Sequence, residues 1–288
     1  MAVHVNMDFG EYQRLDALNP SSAKLLLAPH SPAEYKWKAD HPQPSSAGQI
    51  KNQAVHALVL EGLAAFDKRF RVFDGRRDPR TKAYQEWMAA NPGKVALNAA
   101  EAEEVSDKAL ALEEQGFKRV YGKGLYEVTL TGTDPDTGCP LKGRPDFIGS
   151  RLRDPKNVGV LDRFGLARMT VNCGWHISMA AYLGLIAQNM DELEALLPGF
   201  SKNWTGEAWL DFISDNEPHD WLPLQLHQED LSTGLEAWKQ AQVVFMACTE
   251  SGRWPRAKDM AVPTTEWRLP KFSRVEIDPD AESRVWSV

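Results

Sequence analysis

Cysteine is scarce in this chain: Cys139, Cys173 and Cys248 lie far apart and form no C-x-x-C pair. That argues against a disulfide framework, a structural zinc site or an iron–sulfur cluster held by this chain alone. Long apolar runs are also missing, and none approaches the roughly 18 residues that a membrane-crossing helix needs. No membrane association is expected. Met1 to Gly10 lacks the basic-then-apolar layout of a secretory signal, so a cytoplasmic address is the expectation. There is no internal repeat and no low-complexity segment. An excess of positive charge is absent too: the formal net charge is -7, which draws no nucleic acid by bulk electrostatics. Local charge distribution is a separate matter. The run "KRFRVFDGRRDPRTK", residues 68–82, carries seven Lys or Arg against two Asp, and reads equally as a solvated linker or a phosphate-contacting stretch.

What remains is ordinary for a soluble globular protein: 288 residues, 43% hydrophobic and 25% charged, enough to bury a sizeable core. "NPSSAKLLLAPHSPAEYKWK" predicts a helix capped at Ser21 or Ser22, then a second beginning after Ser31 with Pro32 in its first position. A longer helix is expected over about 49–66, where Ile50, Ala54, Val55, Leu58, Val59 and Leu63 recur at helical spacing. Another runs from Asn98 to Gly116. The period then changes. "LYEVTLTGT" and "CPLKGRPDFIGS" flank the turn "DPDTG" as a hairpin, and "NVGVLDRF" reads as a third strand. An apolar helix over "NCGWHISMAAYLGLIAQNM", two strands in "EAWLDFISD" and "DWLPLQL", and a helix ending at Gly252 complete the order. This order predicts an α/β or α+β fold. No good linker divides it, so a single domain over 1–288 is expected, mainly helical over 1–120 and carrying its sheet over 121–288.

Two acids carry the first hint of chemistry. Asp146 closes "GRPD" on the second hairpin strand, and Asp162 lies within the third strand. Neighbouring strands are under 5 Å apart. A suitable register would bring both carboxylates to one Mg²⁺ or Mn²⁺, hard cations that take oxygen ligands and offset charge on a phosphoryl oxygen. Strands commonly carry acids on their solvent face, so the pair alone is weak evidence.

"GRPDFIG" followed by "GVLD" resembles the core motif of the PD-(D/E)xK nuclease superfamily. More closely, the chain resembles the phage and prophage exodeoxyribonuclease VIII-like group. The likeness runs through "LNPSSAKLLLAPHSPAEYKW", "AVHALVLEG", "DPRTKAYQEW", "TDPDTGCPLKGRPDFIG", "AAYLGL" and "ESGRWP", and the order of these pieces carries it. The resemblance implies a restriction-endonuclease-like core, a mixed sheet flanked by helices with a helical N-terminal half. It implies Asp146 and Asp162 as metal-binding acids, His56 at the metal and Glu127 bordering the site. Glu61, five residues from His56, should point off that helix face. Arg76, Arg77 and Arg80 become the residues expected to border a DNA-holding cleft.

Three departures from the motif stand out. The lysine of D-x-K shares a strand face with its acid; counted from Asp162, that position is Phe164, while Arg163 should face the other way. The helix glutamine four residues before Tyr182 is replaced by Ser178. The glycine usual before the histidine is Asn52. Lys142, an even number of residues from Asp146, is the candidate for a migrated cation. Three readings follow. The first is a DNA-binding protein of recombination or DNA processing with an eroded nuclease centre. The second is a working Mg²⁺-dependent 5′-to-3′ duplex exonuclease that supplies single strands to an annealing protein. The third is a protein-binding scaffold or inhibitor built on the nuclease fold. Duplex DNA or its ends are the expected partner, and self-assembly into a homo-oligomer follows from the resemblance only.

Overall fold

The structure is a computed structural model that describes residues 1–260; residues 261–288, the end of the expected sheet-bearing half, lie outside the described residues. The chain opens with β1 (Ala2–His4), α1 (Phe9–Arg14), α2 (Pro20–Ala23), α3 (Pro32–Asp40) and α4 (Ala47–His56). A π-helical turn, Ala57–Glu61, separates α4 from α5 (Leu63–Arg69). Next come β2 (Phe70–Val72), α6 (Lys82–Ala90), β3 (Val95–Leu97) and α7 (Ala99–Glu114). Five strands then follow in succession: β4 (Leu125–Tyr126), β5 (Thr129–Thr133), β6 (Pro140–Gly143), β7 (Phe147–Ile148) and β8 (Leu152–Val158). Helices α8 (Arg163–Cys173), α9 (Trp175–Gln188), α10 (Met190–Leu196) and α11 (Phe200–Asn203) lead to β9 (Ala208–Ser214) and β10 (Trp221–Gln225). The long α12 (Gln228–Ser251) and short α13 (Ala257–Met260) end the described part.

The architecture is mixed α/β. Its main sheet has the order β10-β9-β8-β7-β4, and only the β8–β9 pair is parallel. A parallel pair needs a long crossover, and α8 to α11 supply it. A second sheet has the order β1-β5-β6, and β2 pairs with β3 in a third. Side chains alternate across the main sheet and feed two apolar cores. Ile148, Leu152, Leu210 and Phe212 pack with α9 and α12, whereas Phe147 and Ile213 pack with α4 and α7.

Local signals account for most boundaries. Asn98 and Glu101 form a reciprocal capping box at the start of α7, and Gly116 takes a left-handed conformation just past its end. Ser31 caps α3 with Pro32 in its first turn, as expected. The first helix, however, is capped by Asn19, whose side chain accepts from the Ser22 amide at 3.0 Å, rather than by Ser21 or Ser22. Pro20 takes the position that its missing N–H suits. The helix expected over 49–66 is broken into α4, the π turn and α5, with Gly62 at φ 95 between the last two.

The largest difference is the third strand. It is β8, over "LRDPKNV", and it ends at Val158, before "GVLDRF" begins. Local rules read Asp-Pro and a run of charges as a turn. Here those charges are neutralised in pairs. Arg153 donates to Asp211 at 2.9 and 2.6 Å, with both side chains buried, and Lys156 pairs with Asp154. Pro155 is tolerated because β7 pairs only with Leu152 and Arg153, leaving the rest of β8 a ladder partner on one side.

The hairpin differs too. Each of its arms is split between two sheets. Glu127, at φ 50, separates β4 in the main sheet from β5 in the second, and Arg144 to Asp146 separate β6 from β7. The two crossings are joined where the Glu127 amide donates to the Asp146 carbonyl at 3.1 Å.

Candidate metal centre

Those crossings place acids beside the end of α4. His56, Glu127 and Asp146 each offer a ligand atom, and the three atoms lie within 4.8 Å of one another. His56 Nδ1 is 3.9 Å from Asp146 Oδ2. Its Nε2 is buried and has no hydrogen-bond partner. Burial, followed by the positive charge of Lys156, holds the imidazole neutral by lowering its pKa to about 4. A neutral ring with an orphaned buried nitrogen is the form that coordinates a cation.

β8 contributes the rest of the cluster. Asp154 and Lys156 are two residues apart on one strand and so share a face. Asp154 is buried, bonded to Lys156 and close enough to Asp146 for each carboxyl to act on the other. Burial, then the adjacent Asp154 carboxylate, pushes Asp146 well above the usual carboxylate range. Burial works against ionisation of Asp154 as well, but Lys156 and the proton shared with Asp146 hold it below its ordinary value. Each carboxyl thus opposes the second ionisation of the pair, as two carboxyls sharing a site do. Burial opposes the charge on Lys156, yet Asp154 and Asp146 keep it raised and charged.

Two ion pairs rim the cluster. Arg144 donates to Glu127 at 3.0 Å, and Arg69 bonds Glu61. Burial raises the Glu127 pKa while Arg144 lowers it, and burial prevails. Glu61 lies at the end of the π turn, paired with Arg69. The π turn closes on an i→i+5 bond, from the Gly62 amide to the Ala57 carbonyl at 2.9 Å, so a residue five further on falls one turn along. The charge of Glu61 is felt by Glu127.

Several expected site residues lie elsewhere. Asp162 is the N-cap of α8; its carboxylate accepts from the Gly165 amide at 2.7 Å, and it is not among the residues that gather at Asp146. Phe164 is 89% exposed on α8 and shares no strand with Asp162. The strand spacing that assigned the motif lysine's position to Phe164 is therefore absent, whereas an acid and a lysine two residues apart, Asp154 and Lys156, do share strand β8. Lys142 is not a migrated cation. The strand breaks between it and Asp146, so the even spacing loses its meaning, and its Nζ is held by the carbonyls of Tyr12, Gln13 and Leu15 at 3.0, 3.1 and 2.7 Å.

Tyr182 is buried on α9 and close enough to Asp154 and Asp146 to feel their charge, and burial raises its pKa far above the usual phenol range. Ser178 is buried one turn earlier, 3.4 Å from the Gly174 carbonyl on its own helix. Of the basic run, the structure brings Arg69 to the cluster. Arg77 is tied to Glu101 and the Ala96 carbonyl, and Arg76 and Arg80 both pair with Asp78. Among the described residues no ion pair or hydrogen bond joins Arg76, Arg77 or Arg80 to the cluster. The residues that sequence reasoning missed are Asp154 and Lys156, although "DPK" displays the motif in plain letters.

No family model matches the chain, and no curated protein matches it. Among solved structures it is similar to one described as "Putative exonuclease" from Eubacterium rectale, with a TM-score of 0.59 and 13% sequence identity. The match covers 92% of this chain and 97% of that one. At that identity the likeness shows a shared fold.

Proposed function

We propose that the protein is a divalent-metal-dependent nuclease that hydrolyses phosphodiester bonds of DNA. The observation that carries this reading is the convergence of His56, Glu127 and Asp146 beside Asp154 and Lys156. His56, Glu127 and Asp146 would hold the cation, with Asp154 beside them; oxygens and an imidazole nitrogen of this kind suit Mg²⁺ or Mn²⁺. A bound divalent cation supplies Lewis-acid stabilisation of charge on the phosphoryl oxygens and eases attack by water. Lys156 orients that water and offsets charge developing on phosphorus, and Asp154 holds the ammonium in place. Arg69 and Arg144, already paired with carboxylates, are near enough to steady the flanking phosphates.

The motifs that resemble the exodeoxyribonuclease VIII-like group support a finer assignment, an exonuclease acting from DNA ends and working beside an annealing protein. The reason for an eroded centre falls away once the lysine is found on β8. Purified protein with Mn²⁺ should hydrolyse bis-p-nitrophenyl phosphate and shorten a linear end-labelled duplex. Lys156→Ala should lower kcat on the order of 10²–10⁴-fold, the value of one positioned proton-donating group, while Mn²⁺ binding measured by calorimetry persists. Equal rates for the two proteins would refute the assignment.

A further inference from the structure

A ladder of rings and cations runs along the rim of the cluster. Lys142 Nζ lies 5.0 Å from the Tyr12 ring centroid, Tyr12 stacks on Phe9 at 6.0 Å with 26° between planes, and the Arg144 guanidinium carbon lies 5.8 Å from the Phe9 centroid. Each member is anchored. Three carbonyls grip Lys142, a capping box at Asp8 sets α1, and Arg144 reaches both Glu127 and the Met7 carbonyl at 3.0 Å. Yet Phe9, in the middle, is 50% exposed. Single exposed apolar side chains need no explanation. This one is held in a fixed orientation beside a cation whose other contact, Glu127, belongs to the metal-ligand cluster.

We infer that Phe9 is a stacking platform for a nucleobase of the substrate next to the scissile phosphate. The inference rests on the nuclease reading and adds to it a substrate preference. Every base offers a π-face, so an aromatic platform is sequence-tolerant. Inside a duplex both faces of a base are already stacked. Phe9 therefore selects an unpaired or terminal base, that of a single strand or a frayed end. The adjacent Arg144 adds a cation that a phosphate or a base face attracts. Lys142 gains its role here as the fixed foot of the ladder.

The probe is a short duplex with a one-nucleotide 2-aminopurine overhang, at either end, titrated with the full chain in Ca²⁺. Stacking on Phe9 should quench the fluorescence; Phe9→Ala should abolish the quenching and Phe9→Trp should retain it. With Mn²⁺, the wild-type KM should be on the order of tenfold lower for an overhang bearing a base than for an abasic one. For Phe9→Ala that ratio should fall to about one, with thermal unfolding checked for an intact fold. Quenching and a KM ratio both unchanged in Phe9→Ala would overturn the platform. Failure of the wild type to cleave anything would instead refute the nuclease reading, and the fluorescence arm would still decide for or against the platform.

Discussion

Asp146 is the residue on which opposing demands meet. Its carboxyl keeps its proton to a higher pH than usual in the metal-free protein, because burial and Asp154 both disfavour its charge. Above its ordinary value of 3.8 the folded chain thus holds a proton that the unfolded chain releases. Stability of the metal-free protein must then fall as pH rises from about 4 through the raised pKa. His56 works in the opposite sense: its value, lowered to about 4, removes stability as pH drops from 6.5 towards 4. Asp146→Asn should therefore raise the unfolding temperature in EDTA near pH 7 and flatten its decline with pH. The same change should abolish Mn²⁺ binding and cleavage. Differential scanning calorimetry between pH 5 and 8, with and without Mn²⁺, measures both. A lower unfolding temperature for the variant in EDTA would contradict the shared-proton account.

The π turn between α4 and α5 shows how an element alters what regular helical spacing implies. One i→i+5 closure changes the direction of Glu61, which pairs with Arg69 and whose charge reaches Glu127, and Gly62 at φ 95 and ψ 177 ends the turn. That conformation is essentially restricted to glycine. A Cβ there would meet nothing within 4 Å, so the cost of Gly62→Ala is one of backbone strain rather than of clash. The substitution should destabilise the protein by about 1–3 kcal/mol, read as a shifted urea midpoint with unchanged slope. It should also weaken Mn²⁺ binding if the end of the turn must hold Glu61 in place. β8 is a second such element. Arg153 bonds Asp211, which also accepts from Tyr121 at 2.7 Å and Trp221 at 3.0 Å, so the face behind Asp154 and Lys156 is locked by a fully satisfied buried network.

For the whole molecule, the net charge of -7 means that the DNA of the proposed function would have to be held by a local set of cations against a repulsive background. Arg76 and Arg80 are well-exposed members of the basic run, 79% and 82% exposed in their side chains. If their loop reaches the duplex, reversing both to Glu should weaken binding for every sequence alike. Each lost phosphate contact should flatten the dependence of log K on log salt by about one. Fluorescence anisotropy with a labelled duplex across a salt series tests this. An unchanged slope would leave the loop as a solvated connection. No described helix is long and apolar enough to cross a membrane.

Caps, turn glycines and hydropathy period were enough to place α3, α7, α9, α12 and the β9–β10 pair, because those signals act within a few residues of chain. The motif "GRPD" and the helix residue His56 were likewise legible, and the fold draws them together with Glu127. Position along β8 was not. Hydropathy favours "GVLD" as a buried strand over "LRDPKNV", and nothing local reveals that Arg153 will meet Asp211 or that Asp154 and Lys156 will neutralise each other. Charges enter a sheet only when partners remote in sequence compensate them, and that compensation exists only in the folded chain. For the same reason Lys142 looked catalytic: alternation along a strand assigns a face only while the strand is continuous, and the break at Arg144 was invisible before the two sheets were assembled. The sequence by itself thus determined which elements form and which chemistry is available. The tertiary structure decided which acid and which lysine stand at the centre, since it alone determines where a buried charge finds its partner.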